Sequence, residues 1–268
     1  MRKIPQVLTI AGSDSGGGAG IQADLKTFQM RHVFGMSVIT AVTAQNTLGV
    51  VDIHLIPNAT VQAQLRAIAE DFSVAAVKIG MLGDQEIIET VAQALKQYRF
   101  KPIIVDPVMI AKSGAALMRE HAVNAFKRHI LPLANVITPN LPEATQLTGI
   151  QIRGEQDIRR AAAKLQEAGV QTVIIKGGHS EGSQSAVCCD WIFHGDEVSV
   201  LKSPRIRTAQ THGTGCTFSA CLTAELAKGK NMRHAAETAK AFITAAIGDQ
   251  LNIGHGHGPT NHWAYRDE

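Results

Sequence analysis

The segment Thr211–Cys216 combines residue types that bind anions with a thiol that can accept a proton. Two glycines flank Thr214 and allow the backbone to turn its N–H groups toward one point. A helix is predicted to begin there, so the positive end of its dipole adds to them. Cys216 falls in the first turn of that helix, where we expect the thiol pKa to fall below its ordinary value of about 8.5. The segment predicts an anion-binding turn, suited to a phosphate, with a base beside it.

The same segment also has a simpler interpretation. Gly-Thr-Gly occurs in ordinary loops, and cysteine is among the residues that are most often buried. The local sequence does not decide between a loop and a site, so the rest of the chain has to.

Length and composition point to an enzyme that acts on small molecules. The 268 residues suffice for one large α/β domain or two small ones. The formal net charge is only +3 and aromatic residues make up 4%, which argues against a nucleic-acid surface. The apolar runs are strand-sized and no signal-peptide core follows Met1, so we expect no membrane association. Four cysteines without CxxC spacing favour reduced thiols, and we expect a cytoplasmic protein.

Strands and helices alternate along most of the chain, which predicts a mainly parallel sheet covered by helices on both faces. Ligands of such sheets bind beyond the carboxyl ends of the strands. The predicted strands cover 6–10, 37–44, 50–56, 75–79, 102–105, 135–138, 172–175, 186–193 and 197–201. Helices are predicted near 21–30, 60–72, 84–97, 120–128, 156–168, 214–227 and 232–247, with short helical turns after Pro142.

A glycine-rich loop, residues 11–20, follows the first strand. It lacks the Lys-Ser/Thr pair of a P-loop. It matches the loose dinucleotide pattern GxGxxA, but no acidic residue between Asp24 and Asp52 could hold a ribose. We therefore expect a loop whose small residues let a substrate approach the backbone, with Asp24 as a polar contact.

The motif Gly178-His179-Ser180-Glu181-Gly182 matches the GxSxG pattern of serine hydrolases. A nucleophile elbow needs a helix directly after its serine, whereas this segment leads into another predicted strand. A mobile loop over a bound ligand is the better interpretation.

Oxygen ligands and cations follow three neighbouring strands. Asn140 and Glu143 come after one strand and Asp106 after another, and magnesium needs only one or two such groups in addition to substrate phosphates. Each could instead be a helix cap or a turn former. Lys176 adds a cation at a third strand end, while the position of Lys240 alone suggests a surface lysine.

Several ordered segments resemble one known family. They are residues 11–27 (AGSDSGGGAGIQADLKT), 43–47 (TAQNT), 78–82 (KIGML), 105–109 (VDPVM), 138–144 (TPNLPEA), 176–179 (KGGH) and 212–217 (HGTGCT). In these segments the chain resembles the hydroxymethylpyrimidine and phosphomethylpyrimidine kinases of thiamine biosynthesis, within the ribokinase-like superfamily. The resemblance extends over nearly the whole chain.

The resemblance implies a single ribokinase-like kinase domain over residues 1–268, with a three-layer α/β/α fold around a mainly parallel sheet. It implies a homodimer and two magnesium-ATP-dependent phosphorylations. The first converts 4-amino-5-hydroxymethyl-2-methylpyrimidine to its monophosphate, and the second makes the diphosphate for thiamine diphosphate biosynthesis.

The resemblance also implies roles for single residues. Gln45 would pair with the edge of the pyrimidine, in a pocket completed by Gly12, Asp24, Met81, Val108 and Cys216. The magnesium ion and its phosphates would be held by Asn140 and Glu143. The nucleotide would contact Asp106, Asn140, Lys176, Thr211 and Lys240. Catalysis would rest on Gly213, Thr214, Gly215, Cys216 and Lys176.

Most of the superfamily has an aspartate at the position of Cys216. The family that the chain resembles has a cysteine there, and so do some pyridoxal kinases. The first acceptor is an alcohol, for which a base contributes roughly 10²–10⁴-fold. The second acceptor is a phosphate monoester with a second pKa of about 6, which needs no base. Two alternatives stay open: a pyridoxal or pyridoxine kinase, and a non-catalytic pyrimidine-binding module.

Overall fold

The chain folds around one continuous β-sheet. The computed structural model describes residues 4–110, 114, 117–118, 120–177 and 186–266. The strands of this part of the chain are β1 Gln6–Asp14, β2 Phe34–Asn46, β3 Gly49–Leu55, β4 Val74–Ile79, β5 Ile103–Val105, β6 Val136–Ile137, β7 Thr172–Lys176, β8 Val187–His194 and β9 Glu197–Pro204. They lie side by side in the order β3-β2-β1-β4-β5-β6-β7-β8-β9.

The middle of the sheet is parallel and its margins are antiparallel. Strands β2, β1, β4, β5, β6 and β7 pair in parallel. Strand β3 pairs antiparallel with β2 at one edge, and the β8–β9 hairpin pairs antiparallel with β7 at the other. The prediction of a mainly parallel sheet is confirmed.

Helices cover both faces of the sheet. They are α1 Gly20–Met30, α2 Asn58–Asp71, α3 Gln85–Tyr98, α4 Glu120–His129, α5 Leu141–Thr148, α6 Glu155–Glu167, α7 Thr214–Ala227 and α8 Met232–Gly248, with a 3-10 turn at Leu131–Leu133. Side chains alternate between the two faces of a strand. Thus Ile103 and Val105 pack with α2 to α6, while Ile104 packs with α7 and α8. Helix α1 packs against α7 through Phe28. This arrangement is the expected three-layer fold.

The elements match the sequence prediction closely, with shifted ends. Asp84 caps α3 as predicted, because its side chain accepts a hydrogen bond from the backbone N–H of Ile87 at 3.0 Å. The turns expected after Pro142 form an eight-residue helix. Strand β1 runs beyond its predicted end to Asp14, because the longer β2 continues to pair with it up to Thr43. The glycine-rich loop therefore starts after Asp14.

The segment after α8 has no regular structure, but it is tied to the site region. Asn261 donates its backbone N–H to the carbonyl of Ala246 at 2.9 Å, and His212 bridges to Pro259. Among the described residues, no helix has the length and apolar character needed to span a membrane.

Candidate active site

A cavity of about 590 Å³ opens at the carboxyl ends of the parallel strands. It is bordered by the glycine-rich loop, by the residues that follow β4, β5 and β7, by the start of α7 and by one face of α8. Fourteen of the fifteen residues that the sequence analysis assigned to a site line it, and the exception is Asp24. The fourteen are Gly12, Gln45, Met81, Asp106, Val108, Asn140, Glu143, Lys176, Thr211, Gly213, Thr214, Gly215, Cys216 and Lys240.

 The position of Lys240 alone suggested a surface lysine, but this residue lines the cavity.

The turn at Gly213 is shaped by a close approach of two backbones. Gly213 caps α7 in the left-handed region, with φ +81, and a side chain there would overlap the carbonyl oxygen of Gly18. At Gly215, an added Cβ would lie 3.3 Å from both Oδ2 of Asp106 and Nζ of Lys176. Only glycine at position 213 lets the turn lie directly on the glycine-rich loop, and a side chain at position 215 would press on the charged floor of the cavity.

The N–H groups of Gly215 and Cys216 lie in the first turn of α7, where the helix itself offers them no acceptor. Both residues border the cavity, so this helix start can bind an anion there. The hydroxyl of Thr214 instead donates to the carbonyl of Thr211 at 2.7 Å and closes the turn.

The expected low pKa of Cys216 is wrong. Burial raises the pKa of this thiol to about 11, and the charges of Asp24 and Asp106 act in the same direction. Lys78 and a hydrogen bond from the backbone N–H of Gly20 oppose the rise without cancelling it. The helix dipole alone suggested the opposite direction, because desolvation depends on packing that the local sequence does not contain.

Asp24 does not reach the cavity wall, in contrast to the prediction. Its side chain is fully buried, and Lys78 Nζ donates to both of its oxygens at 2.9 Å. Thr9 donates to Oδ2 at 2.6 Å. Burial disfavours the charged form of Lys78, but Asp24, Cys216 and Asp106 outweigh it and raise the lysine pKa. Asp24 therefore keeps a lysine charged at the border of the cavity.

A second buried ion pair joins the ends of β5 and β7. Lys176 Nζ lies 3.0 Å from Oδ1 of Asp106, which also accepts a hydrogen bond from Thr138 at 3.2 Å. Burial opposes the charge on both groups, but their attraction outweighs it. The pKa of Asp106 is lowered and that of Lys176 is raised. The pair holds an ammonium group beneath Gly215.

Asn140 and Glu143 form the cap that the sequence analysis had left open as an alternative. Asn140 Oδ1 accepts from the backbone N–H of Glu143 at 2.9 Å, and Glu143 Oε2 accepts from that of Asn140 at 2.8 Å. Burial, together with the charge of Asp106, raises the pKa of Glu143 to about 7, although Lys176 opposes the rise. One carboxylate oxygen of Glu143 stays outside this capping box.

These groups suit a magnesium ion that arrives with phosphates. Among the described residues, no group of three or more His, Cys, Asp or Glu side chains is arranged to hold a metal ion. Magnesium usually keeps several waters and takes one or two carboxylates together with substrate phosphates, so a complete protein cage is not required. Glu143 provides such an oxygen at the cavity wall.

Sequence reasoning missed a third ion pair, at the α8 side of the cavity. Lys240 Nζ lies 2.7 Å from Oδ2 of Asp190, and Oδ1 of Asp190 accepts from the backbone N–H of Gly177 at 3.0 Å. Asp190 lies opposite Lys176 in the β7–β8 ladder. An acidic residue inside the apolar run of β8 was the available signal.

The pair of Asp14 and His212 was also missed, although both residues lie in segments that the sequence analysis singled out. His212 Nε2 lies 2.8 Å from Oδ2 of Asp14 and 3.3 Å from Nε2 of Gln45. The pair joins the glycine-rich loop to the Gly213 turn and to a residue expected to contact the pyrimidine. A histidine directly before the Gly-Thr-Gly turn was its only signal.

The GxSxG motif at 178–182, and with it the loop expected to cover a ligand, lies outside the described residues.

Comparison with known proteins identifies the family. A family model described as phosphomethylpyrimidine kinase matches residues 14–261. The chain belongs to this family. A relative from Haemophilus influenzae named hydroxymethylpyrimidine/phosphomethylpyrimidine kinase is 64% identical over 266 residues, 99% of each chain.

Solved structures agree with this assignment. Bacillus subtilis pyridoxal kinase, in an ADP complex, is similar with a TM-score of 0.90 and 42% identity, over 98% of each chain. A phosphomethylpyrimidine kinase from Clostridium difficile has a TM-score of 0.81 and 42% identity, over 91% of this chain and all of the other. The ribokinase-like α/β fold expected from the sequence is confirmed.

The close approach at Gly213 predicts an unusually costly substitution. Gly229 has a similar φ of +83 but open space around it, so it serves as a matched control. We expect Gly229→Ala to lower the free energy of unfolding by about 1–2 kcal/mol, the cost of the left-handed backbone. Gly213→Ala should lower it further, because the turn must also separate from Gly18. Urea unfolding of both variants measures this difference, and equal losses would contradict the account.

Proposed function

We propose that the chain is an ATP-dependent kinase that phosphorylates 4-amino-5-hydroxymethyl-2-methylpyrimidine and then its monophosphate, for thiamine diphosphate biosynthesis. One observation carries this proposal beyond family membership. The Gly213 turn connects two differently equipped ends of a single cavity. At one end, His212 contacts Gln45. At the other end, Gly177, which follows Lys176, donates its N–H to Asp190, and Asp190 pairs with Lys240.

The end near Lys240 suits the nucleotide. The ammonium groups of Lys176 and Lys240 and the first-turn amides of α7 can offset the charge of a triphosphate. Glu143 would hold the magnesium ion that arrives with these phosphates, and the ion would neutralise charge on the transferred group. Asn140 holds Glu143 in position through the capping box, and its own contact with the metal or nucleotide is part of the same proposal.

The end near Gln45 suits the pyrimidine. Gly12 lies against the sulfur of Met81, where an added Cβ would be 3.1 Å from it, so the wall there is flat and apolar. Val108 also lines the cavity, and Gln45 provides a polar edge. This combination fits a flat heterocycle with hydrogen-bonding groups on one side.

The first transfer releases the hydroxyl proton of the substrate and needs a group that accepts it. The hydroxymethyl oxygen forms a bond to the γ-phosphorus, the bond from that phosphorus to the bridging oxygen breaks, and ADP leaves. The hydroxyl proton passes to the thiolate of Cys216, which Lys78 and the Gly20 N–H stabilise. The second acceptor is already an anion near neutral pH and releases no such proton.

Incubation with magnesium-ATP and hydroxymethylpyrimidine, followed by phosphorus NMR, tests the proposed function. Both the monophosphate and the diphosphate should form. ATP turnover with neither product would contradict the proposal, and binding without any turnover would favour the non-catalytic module.

A pyridoxal or pyridoxine kinase is the second candidate, favoured by the similarity to the solved pyridoxal kinase. Pyridoxine presents the same kind of acceptor, a hydroxymethyl group on a flat nitrogen heterocycle. Comparison of kcat/KM for the two acceptors decides between them, and a large preference for pyridoxine would reverse the ranking.

Cys216→Ala should separate the two transfers. We expect the single-turnover rate of the first to fall by roughly 10²-fold and that of the second to change little. Because the pKa of Cys216 is raised to about 11, the thiolate fraction grows as the pH rises toward that value. The wild-type first rate should therefore increase between pH 7 and pH 9, and the variant should lose this increase.

Cys221→Ala is the matched control, because Cys221 lies on the same helix and is buried in the apolar core. It should leave both rates unchanged. Equal losses of the two rates in Cys216→Ala would show that the thiol is not the base.

Lys240→Gln should weaken nucleotide binding. The loss of a desolvated cation is expected to raise the KM for ATP about tenfold, which corresponds to about 1.4 kcal/mol, with little change in the KM for the pyrimidine. Arg233→Gln removes an exposed cation from the same helix and serves as the control. An unchanged KM for ATP in Lys240→Gln would place the nucleotide elsewhere.

The cytoplasm and a homodimer complete the proposal. The four cysteines, all within the described residues, form no disulfide, which suits a reducing compartment. Strand β3 is an edge strand, and its Val51 is 81% exposed. Leu48, in the turn between β2 and β3, and Val42, on β2, are exposed as well. Exposed apolar side chains on a strand edge favour pairing with a second chain.

Val51→Lys should convert the dimer to a monomer. Val198, on the opposite edge strand, is also exposed, so Val198→Lys is the control and should stay dimeric. Sedimentation equilibrium of both variants measures the mass. A monomeric wild type, or dissociation caused by Val198→Lys alone, would contradict this interface.

A further inference from the structure

The hydrogen bonds around Gln45 contain a conflict of donors. Gln45 Nε2 lies 3.3 Å from Nε2 of His212, which in turn lies 2.8 Å from Oδ2 of Asp14. On the other side of the amide, Oε1 of Gln45 lies 3.1 Å from Oγ1 of Thr43. The same hydroxyl lies 3.0 Å from the carbonyl oxygen of Ser13, so its single hydrogen faces two acceptors.

The charge of Asp14 fixes the hydrogen on His212. Asp14 also accepts from the backbone N–H groups of Gly16, Gly18 and Ala19 at 2.8, 3.0 and 2.8 Å. Burial favours the neutral acid, but these bonds and His212 outweigh it and lower the pKa of Asp14. A carboxylate only accepts, so the hydrogen of this contact lies on Nε2 of His212.

A protonated Nε2 cannot face the NH₂ group of Gln45, because both would be donors. Nitrogen and oxygen of an amide are assigned from their hydrogen bonds, since the two atoms occupy nearly equivalent positions. With the amide turned by half a rotation, its oxygen faces His212 and its NH₂ group donates to Thr43. Thr43 then donates to Ser13, the hydrogen on Nε2 of His212 is shared between Asp14 and the amide oxygen, and no donor faces another donor.

We infer that Asp14 and His212 lock the Gln45 amide in this orientation, and that the locked amide selects an aminopyrimidine and aims its hydroxymethyl group at the Gly213 turn. This inference rests on the proposed function. One side of the amide contacts His212 and the other contacts Thr43. The remaining edge presents an acceptor and a donor side by side to the cavity.

That edge complements the 4-amino group and the adjacent ring nitrogen of the substrate. The amide oxygen, on the His212 side, accepts from the amino group, and the amide N–H, on the Thr43 side, donates to the ring nitrogen. The hydroxymethyl carbon is attached next to the amino-bearing carbon, on the side away from that nitrogen. It therefore points past the amino group toward His212 and the turn that follows. The opposite amide orientation would point it away.

The 4-oxo analogue of the substrate tests this inference, because its ring N–H and oxygen exchange donor and acceptor. The wild type should prefer the 4-amino compound by at least 10²-fold in kcat/KM, since a site built for one hydrogen-bond pattern rejects the opposite one. His212→Leu removes the locking N–H and lets the amide rotate, so this ratio should fall at least tenfold. His212→Gln keeps an N–H near the same position and should retain most of the preference.

A merely structural role of His212 would slow both compounds equally and leave the ratio unchanged, which would overturn the inference. If His212→Leu does not fold, Thr43→Val gives the same test from the other side of the amide and should also lower the ratio at least tenfold. A wild type that phosphorylates neither compound would overturn the proposed function and this inference together. A wild type that accepts both equally would overturn the inference alone.

Discussion

The structure depends on one close approach between backbones, where Gly213 lies against the carbonyl of Gly18. Only glycine fits there, because the position needs both a positive φ and the absence of a Cβ. The contact brings the loop after the first strand onto the start of α7, and the hydrogen bond between Asp14 and His212, 198 residues apart in sequence, fastens it. Without this approach, the Gly20 amide would not reach Cys216.

Three buried ion pairs give the cavity its charge. Lys78, Lys176 and Lys240 border it, and each is held by an aspartate behind or beside it. Burying an ammonium group is costly unless it is paired, so the aspartates keep the lysines charged where a phosphate could use them. Groups that are already oriented stabilise a developing charge without further reorganisation.

The sequence was informative where chemistry is local, and less so where it depends on packing. Strand and helix periodicity predicted the sheet, and the glycines of Thr211–Cys216 predicted the tight turn at the start of α7. The pKa of Cys216 was predicted in the wrong direction because burial is a tertiary property. The partner of Asp24 is 54 residues away, and nothing near either residue indicates the pairing. Asp190 was overlooked for the same reason, since its partner lies on the last helix.

The central claim is that one centre serves both phosphorylations, with the alcohol and the phosphate monoester bound in turn at the same edge of Gln45. The most direct test uses 4-amino-2,5-dimethylpyrimidine, which lacks the hydroxyl group and cannot accept a phosphoryl group. The account predicts that this compound inhibits both transfers competitively with the respective acceptor, with the same inhibition constant. Inhibition of the first transfer alone would show that the second uses a different site and would contradict the account.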